Sequence, residues 1–480
     1  MTISPPKIHR IGVWHLLRGS LLGRVFGFLL NLLLSRSLGP DLLGLFSLML
    51  STTQAVEISV KGGIDYGLSC ALTGTEGAQR LGREKVAFVR AGLITVWGAT
   101  VLALIGLWIW IMPFAGLLPP SLPAPRGQLA LWLMLLAALE GLACLPWDLL
   151  WIYGQTVALS LRQGLFAPLR LLGAWLGSSW LGLEGCLMGY GVVGGLQLLW
   201  LWRRCDALLP WRIVPWRLEP SRVLALISAG SPLYLTNLCR SFVFVPLLAV
   251  LAEQHGLADL GFLRVGQIFS QAFTILPGAL VPIFFLRLRE ADQVSESQWQ
   301  MERSLLLLWW LGLFCLILYF LVDRWAVSLA FGTAFVSSEQ STRVLVVLTV
   351  IESLAQILHT ALLASKRTNL FVIVEMGSIA LAAVLGFSFM PQMGMDGYLL
   401  ARLAMVLMPL LIYLWDAWGD FSHPDVFVCF LVLTLGLLGL AWLPRSVMQA
   451  IGWSESLLLL SALGVLSWQF ALVRRELGGR

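Results

Sequence analysis

Segments of about 20 predominantly apolar residues recur along the whole 480-residue chain, and they constrain its fold more than any other feature. Each segment is long enough, at about 1.5 Å per residue in a helix, to cross a hydrocarbon core of about 30 Å. Charged residues make up only 12% of the sequence, too few to cover a water-soluble protein of this length. The sequence therefore predicts an all-α polytopic membrane protein with no soluble domain between its spans.

Fourteen of these segments, separated by proline, glycine and charged residues, are predicted as transmembrane helices. The predicted spans are residues 16–37, 42–66, 87–111, 129–152, 164–182, 184–203, 223–251, 259–285, 304–329, 343–365, 370–390, 397–417, 425–443 and 455–474.

The basic residues between the spans are unequally divided between the two sides of the membrane. If the N-terminus is cytoplasmic, nineteen Lys and Arg residues fall in cytoplasmic segments, and the five on the opposite side are Arg36, Arg126, Arg324, Arg343 and Arg445. The positive-inside rule then predicts a bacterial inner-membrane protein with both termini in the cytoplasm. Topology therefore accounts for the net charge of +6 without nucleic-acid binding. The seven cysteines show no Cys-x-x-Cys spacing, and no metal site or cofactor is predicted.

Two stretches of the sequence have similar residues in the same order. The first begins at Gly19 and contains Arg24, the second begins at Gly230 and contains Arg240, and each leads to a later Asp-Leu segment that ends in glycine. Six spans separate the two stretches, so both run in the same direction, which is typical of a parallel transporter repeat. The predicted divisions are an N-lobe at 1–220, a C-lobe at 221–420 and an additional helix pair at 421–480.

Basic residues also lie well inside apolar spans, where each costs about 2.5–3.5 kcal/mol unless it is paired or hydrated. Guanidinium groups offer a fixed fork of donors to phosphate or carboxylate groups. We therefore predict a cationic substrate-binding cavity, with Arg24 and Arg240 facing each other across the repeat axis. The candidate residues are Arg24, Arg240, Arg264 and Lys61.

Acidic residues within spans have two interpretations: they couple transport to an ion gradient, or they neutralise the bases. The acids are Glu57, Glu140, Asp148, Glu352 and Glu375, and the candidates for ion coupling are Glu57, Glu352 and Glu375. Lys61 has a potential partner in Glu57, four residues earlier on the same helix face. Arg170 and Arg402 lie about five residues inside predicted spans, where snorkelling to the interface is the favoured explanation. His359 follows Glu352 by seven residues on the same face.

The stretch from Leu32 to Gly44, L-L-L-S-R-S-L-G-P-D-L-L-G, and the Gly-Gly-Ile-Asp at 62–65 carry a family resemblance. They resemble the opening of Wzx-type polysaccharide repeat-unit flippases, in the multidrug/oligosaccharidyl-lipid/polysaccharide (MOP) exporter superfamily. Gln267 and Pro277, with the short loop at 365–369, are similar too.

The resemblance implies a two-lobed bundle that works by alternating access. Such a protein moves an undecaprenyl-pyrophosphate-linked oligosaccharide from the cytoplasmic to the periplasmic leaflet, driven by an ion gradient. Membrane lipids, a polysaccharide polymerase and the export machinery are the expected partners.

Three other functions are alternatives to a polysaccharide flippase. A lipid II flippase and a drug exporter of the multidrug and toxic compound extrusion (MATE) type would share the fold, although organic cations favour an acidic cavity. A membrane glycosyltransferase or polymerase needs catalytic acids on an outer loop, and the longest such loop, about residues 112–128, has none. No GxxxxGK[ST] or HExxH motif occurs. The protein is therefore predicted not to be an enzyme.

Overall fold

A computed structural model describes residues 10–64, 67–68, 83–114, 126–153, 155–208, 220–274, 294–364 and 367–417, with isolated positions between 436 and 442. Every regular element in these ranges is helical, which confirms the predicted all-α membrane fold. The predicted helix pair at 421–480 lies outside the described residues except for those isolated positions.

The α-helices are α1 (Arg10–Lys61), α2 (Arg83–Phe114), α3 (Arg126–Ile152), α4 (Thr156–Leu161), α5 (Ala167–Leu208), α6 (Pro220–His255), α7 (Leu257–Phe273), α8 (Val294–Phe331), α9 (Glu339–Ala364), α10 (Thr368–Met393) and α11 (Met395–Ala417). A π-helical turn, Arg162–Phe166, joins α4 to α5, and a 3₁₀ turn, Thr333–Ser338, joins α8 to α9.

Eight helices among the described residues are long and apolar enough to cross a membrane, and a bent pair in α8 would make nine. Two of the eight, Leu21–Lys61 and Val157–Asp206, contain 41 and 50 residues. A single crossing needs about 20 residues, so each of these two suffices for a pair of crossings. The first twelve predicted spans each overlap a described helix, but residues 275–285 of the eighth lie outside the described residues, and the total of fourteen stays a prediction.

Helix α5 is a hairpin of two helices that turns at Leu181 and Gly182, where Gly182 has φ of 59°. Close glycine contacts join its two arms. A Cβ added to Gly177 would lie 1.9 Å from the carbonyl oxygen of Gly185, and one added to Gly173 would lie 2.7 Å from that of Gly189. Small residues let helices in a membrane approach to backbone contact. The two arms are therefore antiparallel and connect without a loop.

Helix α1 also contains a break, at Gly39, whose φ of 73° favours glycine and which precedes Pro40. Before the break, Gly19 packs against Ser160 and Gly27 against Leu171, so this part runs parallel to α4 and the first arm of α5. After the break the helix is antiparallel to α6. There the Tyr234 hydroxyl donates to the Ser59 carbonyl at 3.0 Å, and the Gly63 backbone abuts Gly230.

Contacts of α3 show that crossings that follow one another along the chain alternate in direction. Gln128 of α3 donates to Glu184 at 3.2 Å, and the Cys205 thiol donates to the Pro146 carbonyl at 3.3 Å, so α3 is parallel to the second arm of α5. Helix α2 is antiparallel to α3, because Gly141 meets Thr100 while Leu145 meets Gly92.

The chain divides into two compact units, Met1–Gly261 and Phe262–Arg480. In the second unit α8 bends by 76° between Leu305–Phe320 and Trp325–Phe331. Helices α10 and α11 form a second hairpin, which turns at Gly394 with φ of 58°. The lobe boundaries derived from the sequence repeat stay a prediction.

Candidate functional site

The first unit contains an ion network that links α1 to α3. The Lys61 Nζ lies 3.2 Å from Glu57 Oε1 and 3.7 Å from Asp148 Oδ1. All three side chains are partly buried, with 14–23% of their surface exposed. The pairing of Lys61 with Glu57 that the sequence predicted is therefore present. Asp148 is an additional partner, which the sequence did not indicate.

A cation from the π-helical turn lies near this network. The Arg162 guanidinium lies 3.8 Å from the centre of the Trp147 ring, next to Asp148 in α3. Single π-helical turns occur frequently at functional sites, because they displace side chains from regular helical register.

Arg170 lies in the first arm of α5, where it is buried. It forms an ion pair with Glu140 of α3, and its guanidinium lies 5.2 Å from the centre of the Tyr190 ring. The expectation that Arg170 snorkels to the interface is therefore wrong. The predicted span began at residue 164, whereas the apolar helical segment begins at Val157, so Arg170 lies thirteen residues from its start.

Arg24 and Arg240, the two arginines of the sequence repeat, are both half-buried in helices of the first unit, α1 and α6. Arg24 directly follows Gly23, and a Cβ on Gly23 would lie 2.0 Å from the carbonyl oxygen of Gln163 in the π-helical turn. The backbone of α1 at Gly23, one residue before Arg24, is therefore in close contact with that turn. The prediction that the two arginines face each other stays a prediction.

The remaining predicted site residues lie in the second unit, each with a partner. Arg264 of α7 donates to Gln267 Oε1 at 3.4 Å, one helical turn away. Glu352 of α9 accepts a hydrogen bond from Arg402 of α11 at 3.3 Å. Buried Glu375 of α10 accepts one from the Tyr413 hydroxyl at 3.3 Å. Arg402 is only a quarter exposed, so it too is paired within the protein.

His359 packs against the neighbouring helix α10. Its ring stacks on Phe371 of α10, with ring centres 4.1 Å apart and an angle of 4° between the planes. The sequence spacing placed His359 correctly on its helix but gave no information about the neighbouring helix.

Sequence reasoning missed one buried ion pair altogether. Arg343, predicted to lie in an outer loop, is buried in α9 and pairs with Asp323 at the bend of α8. Their side chains are 2% and 1% exposed, and Glu339 lies 3.4 Å from Arg343 on the other side. The boundary of span 10 is the cause of the error, because the structural span begins at Thr333 and not at residue 343.

No protein-family sequence model matches the chain, and neither does any curated protein sequence. Solved structures do. The lipid II flippase MurJ in an inward closed conformation is 12% identical, with a TM-score of 0.69 over 96% of this chain and 98% of that one.

Two further structures come from MOP transporters. An inward-facing MATE multidrug transporter is 14% identical, with a TM-score of 0.61 over 83% of this chain and 94% of that one. A MOP transporter from Pyrococcus furiosus, described as having a binding pocket of reversed polarity, is 14% identical, with a TM-score of 0.60 over 86% and 96% of the two chains.

The chain has the MOP-transporter fold. Each acid predicted inside a span forms an ion pair with a base or a hydrogen bond with a hydroxyl group. The pairs are Glu57 with Lys61, Asp148 with Lys61, Glu140 with Arg170, Glu352 with Arg402, and Glu375 with Tyr413. A carboxylate that already neutralises a base is poorly placed to bind an organic cation.

Proposed function

We propose that this protein is a flippase that moves an undecaprenyl-pyrophosphate-linked oligosaccharide from the cytoplasmic to the periplasmic leaflet of the bacterial inner membrane. Alternating access between its two lobes performs the movement, and an ion gradient drives it. The sugar repeat unit is destined for a polysaccharide polymerase and the export machinery.

One observation supports an anionic substrate over a cationic one. The five carboxylates that the sequence predicts inside spans each have a partner among the described residues, and for four of them that partner is a basic residue. A drug exporter for organic cations needs a carboxylate that the cation can reach without displacing a fixed arginine or lysine. A pyrophosphate group instead needs basic donors, which Arg24, Arg240 and Arg264 are proposed to supply.

The extent of structural similarity supports a lipid-linked substrate. The lipid II flippase covers 96% of this chain and the MATE transporter 83%. The same similarity makes lipid II the second candidate substrate.

Binding to the purified protein tests the substrate class. Three ligands are compared: a pyrophosphate-linked polyprenyl oligosaccharide, lipid II and an organic cation. We expect saturable binding of the oligosaccharide, weakened about 100-fold in Arg24→Ala/Arg240→Ala, because hydrogen bonds to charged groups contribute about 1.5–3 kcal/mol each. Arg36→Ala, at an exposed position of the same helix, is the matched control and should bind normally.

Each other outcome changes the assignment. Tighter binding of lipid II would identify the second candidate as the function, and preference for the cation would indicate a drug exporter. Full affinity in the double variant would remove Arg24 and Arg240 from the binding site.

Topology gives an independent prediction. Protease-sensitive tags at both termini should be protected in spheroplasts and cleaved after permeabilisation, because the distribution of basic residues predicts that both ends are cytoplasmic. Cleavage of one tag in intact spheroplasts would require an odd number of crossings and contradict the fourteen predicted spans.

A further inference from the structure

The second arm of α5 exposes a row of apolar side chains along one face. Val192, Leu196 and Leu199 follow one another at intervals of four and three residues, which makes them neighbours on the helix surface. Their side chains are 55–63% exposed. In a helix that crosses a membrane, such a face lies against lipid chains. These three residues are called the apolar column below.

Two arginines stand at the end of the apolar column. Arg203 lies four residues after Leu199 on the same face, Arg204 follows it, and both side chains are exposed. Neither guanidinium forms an ion pair with a carboxylate within the part of the chain that the structure describes. The two arginines and the exposed Asp206 give the end of this arm one net positive charge.

Aromatic rings support Arg204 at the helix surface. Its guanidinium lies 5.7 Å from the centre of the Trp200 ring, one turn earlier. The centre of that ring lies 5.1 Å from the centre of the Phe166 ring in the π-helical turn. A guanidinium at this distance is attracted by the face of the ring, so the contact restrains Arg204 without an oxygen acceptor from the protein.

The length of the arm places both arginines at the level of lipid headgroups. Arg203 follows the turn at Gly182 by 21 residues, which is about 31 Å along a helix, and a hydrocarbon core is about 30 Å thick. If the turn lies at one membrane surface, the arginines therefore reach the other. The distribution of basic residues predicts that this second surface is cytoplasmic, and Trp200 is of a residue type that is enriched at such interfaces.

We propose that the apolar column and the pair Arg203–Arg204 bind one anionic glycerophospholipid of the membrane, with its phosphate at the guanidinium groups and an acyl chain along the column. Phosphate oxygens accept the fork of N–H donors that a guanidinium offers. A zwitterionic lipid presents the same phosphate together with a positive charge that the arginines repel, so the site prefers phosphatidylglycerol to phosphatidylcholine. This inference is independent of the transported substrate proposed above.

Photocrosslinking at Leu199 tests the lipid contact. The full-length protein, with p-benzoylphenylalanine in place of Leu199, is reconstituted in vesicles of equal parts phosphatidylglycerol and phosphatidylcholine with identical acyl chains. We expect about 25-fold more crosslinked phosphatidylglycerol, because each basic residue near an anionic lipid contributes a factor of about five. The matched control position is Ile373 near the start of α10, which is 69% exposed and follows an arginine, Arg367, that is paired with Asp416. It should crosslink the two lipids close to their ratio in the vesicle.

Charge variants test where the headgroup lies. Arg203→Gln/Arg204→Gln should abolish the enrichment of phosphatidylglycerol at Leu199. Arg36→Gln/Arg367→Gln removes the same charge from two other exposed positions and should leave the enrichment unchanged. Full enrichment in Arg203→Gln/Arg204→Gln would overturn the proposal.

Other occupants of this face would give different results. Equal crosslinking of the two lipids at Leu199 would show that the column contacts membrane lipid without selection, and loss of the phosphatidylglycerol crosslinks on addition of a polyprenyl pyrophosphate would assign the face to that class of lipid. Either result would overturn the proposal. If the arginine variant does not fold, the comparison of Leu199 with Ile373 in the otherwise unchanged chain still decides. The first measurement contains no lipid-linked sugar, so its outcome does not depend on the proposed transport.

Discussion

Arg343→Met is expected to lower the free energy of unfolding by about 3–5 kcal/mol, because removal of one partner from a buried ion pair leaves an uncompensated charge. The charge left behind is Asp323, whose side chain is 1% exposed at the bend of α8. Glu339, already beside Arg343, adds a second acid to the site. The variant should unfold at a much lower temperature in detergent and accumulate poorly in the membrane.

The matched control for this prediction removes both charges. Arg343→Met/Asp323→Leu should recover most of the lost stability, since a buried pair replaced by apolar residues of similar volume is often neutral or better. If the single variant is as stable as the wild type, the ion pair does not hold the bend of α8. If the double variant is no better than the single one, the guanidinium acts through contacts other than Asp323.

A single methyl group at Gly177 should separate the two arms of α5. The added Cβ would lie 1.9 Å from the carbonyl oxygen of Gly185, a backbone atom that no side-chain rotation can move. Overpacking usually costs about 1–3 kcal/mol, and we expect Gly177→Ala to reach or exceed the upper value because two backbones must separate. The thermal unfolding midpoint and the yield of monodisperse protein measure the effect.

Gly195→Ala provides the control for Gly177→Ala. It lies in the same helix, and a Cβ there would meet nothing within 4 Å, so the substitution should be neutral or slightly stabilising through helix propensity. Equal midpoints for the two variants would show that the arms of α5 tolerate separation. That result would contradict the tight hairpin described above.

The sequence predicted those features that depend on local composition. Apolar length alone placed the first twelve predicted spans where each overlaps a described helix, and the Glu57–Lys61 pair followed from a spacing of four residues on one helix. The ion pairs between different helices could not be predicted from the sequence. Lys61 with Asp148, Arg170 with Glu140 and Arg343 with Asp323 depend on how each helix is rotated about its axis. A helix that is apolar on all sides carries no pattern that specifies this rotation.

Span boundaries explain the remaining errors. Arg170 and Arg343 were assigned to interfaces because the predicted spans began seven and ten residues later than Val157 and Thr333, where the structural spans begin. Both arginines are buried in ion pairs. From the polarity of their side chains alone, both would be assigned to loops. The substrate-binding roles of Arg24, Arg240 and Arg264 depend on geometry around a ligand, and the binding experiment addresses them.

The loopless turn at Leu181 and Gly182 limits the independent movements available to the first unit. Its two arms meet at backbone contact along at least two turns, at Gly173 with Gly189 and Gly177 with Gly185, so one arm cannot slide along the other without a backbone clash. We therefore expect the two arms of α5 to move together as one rigid body in any conformational cycle. The flexible joints of this unit have to lie elsewhere along the chain.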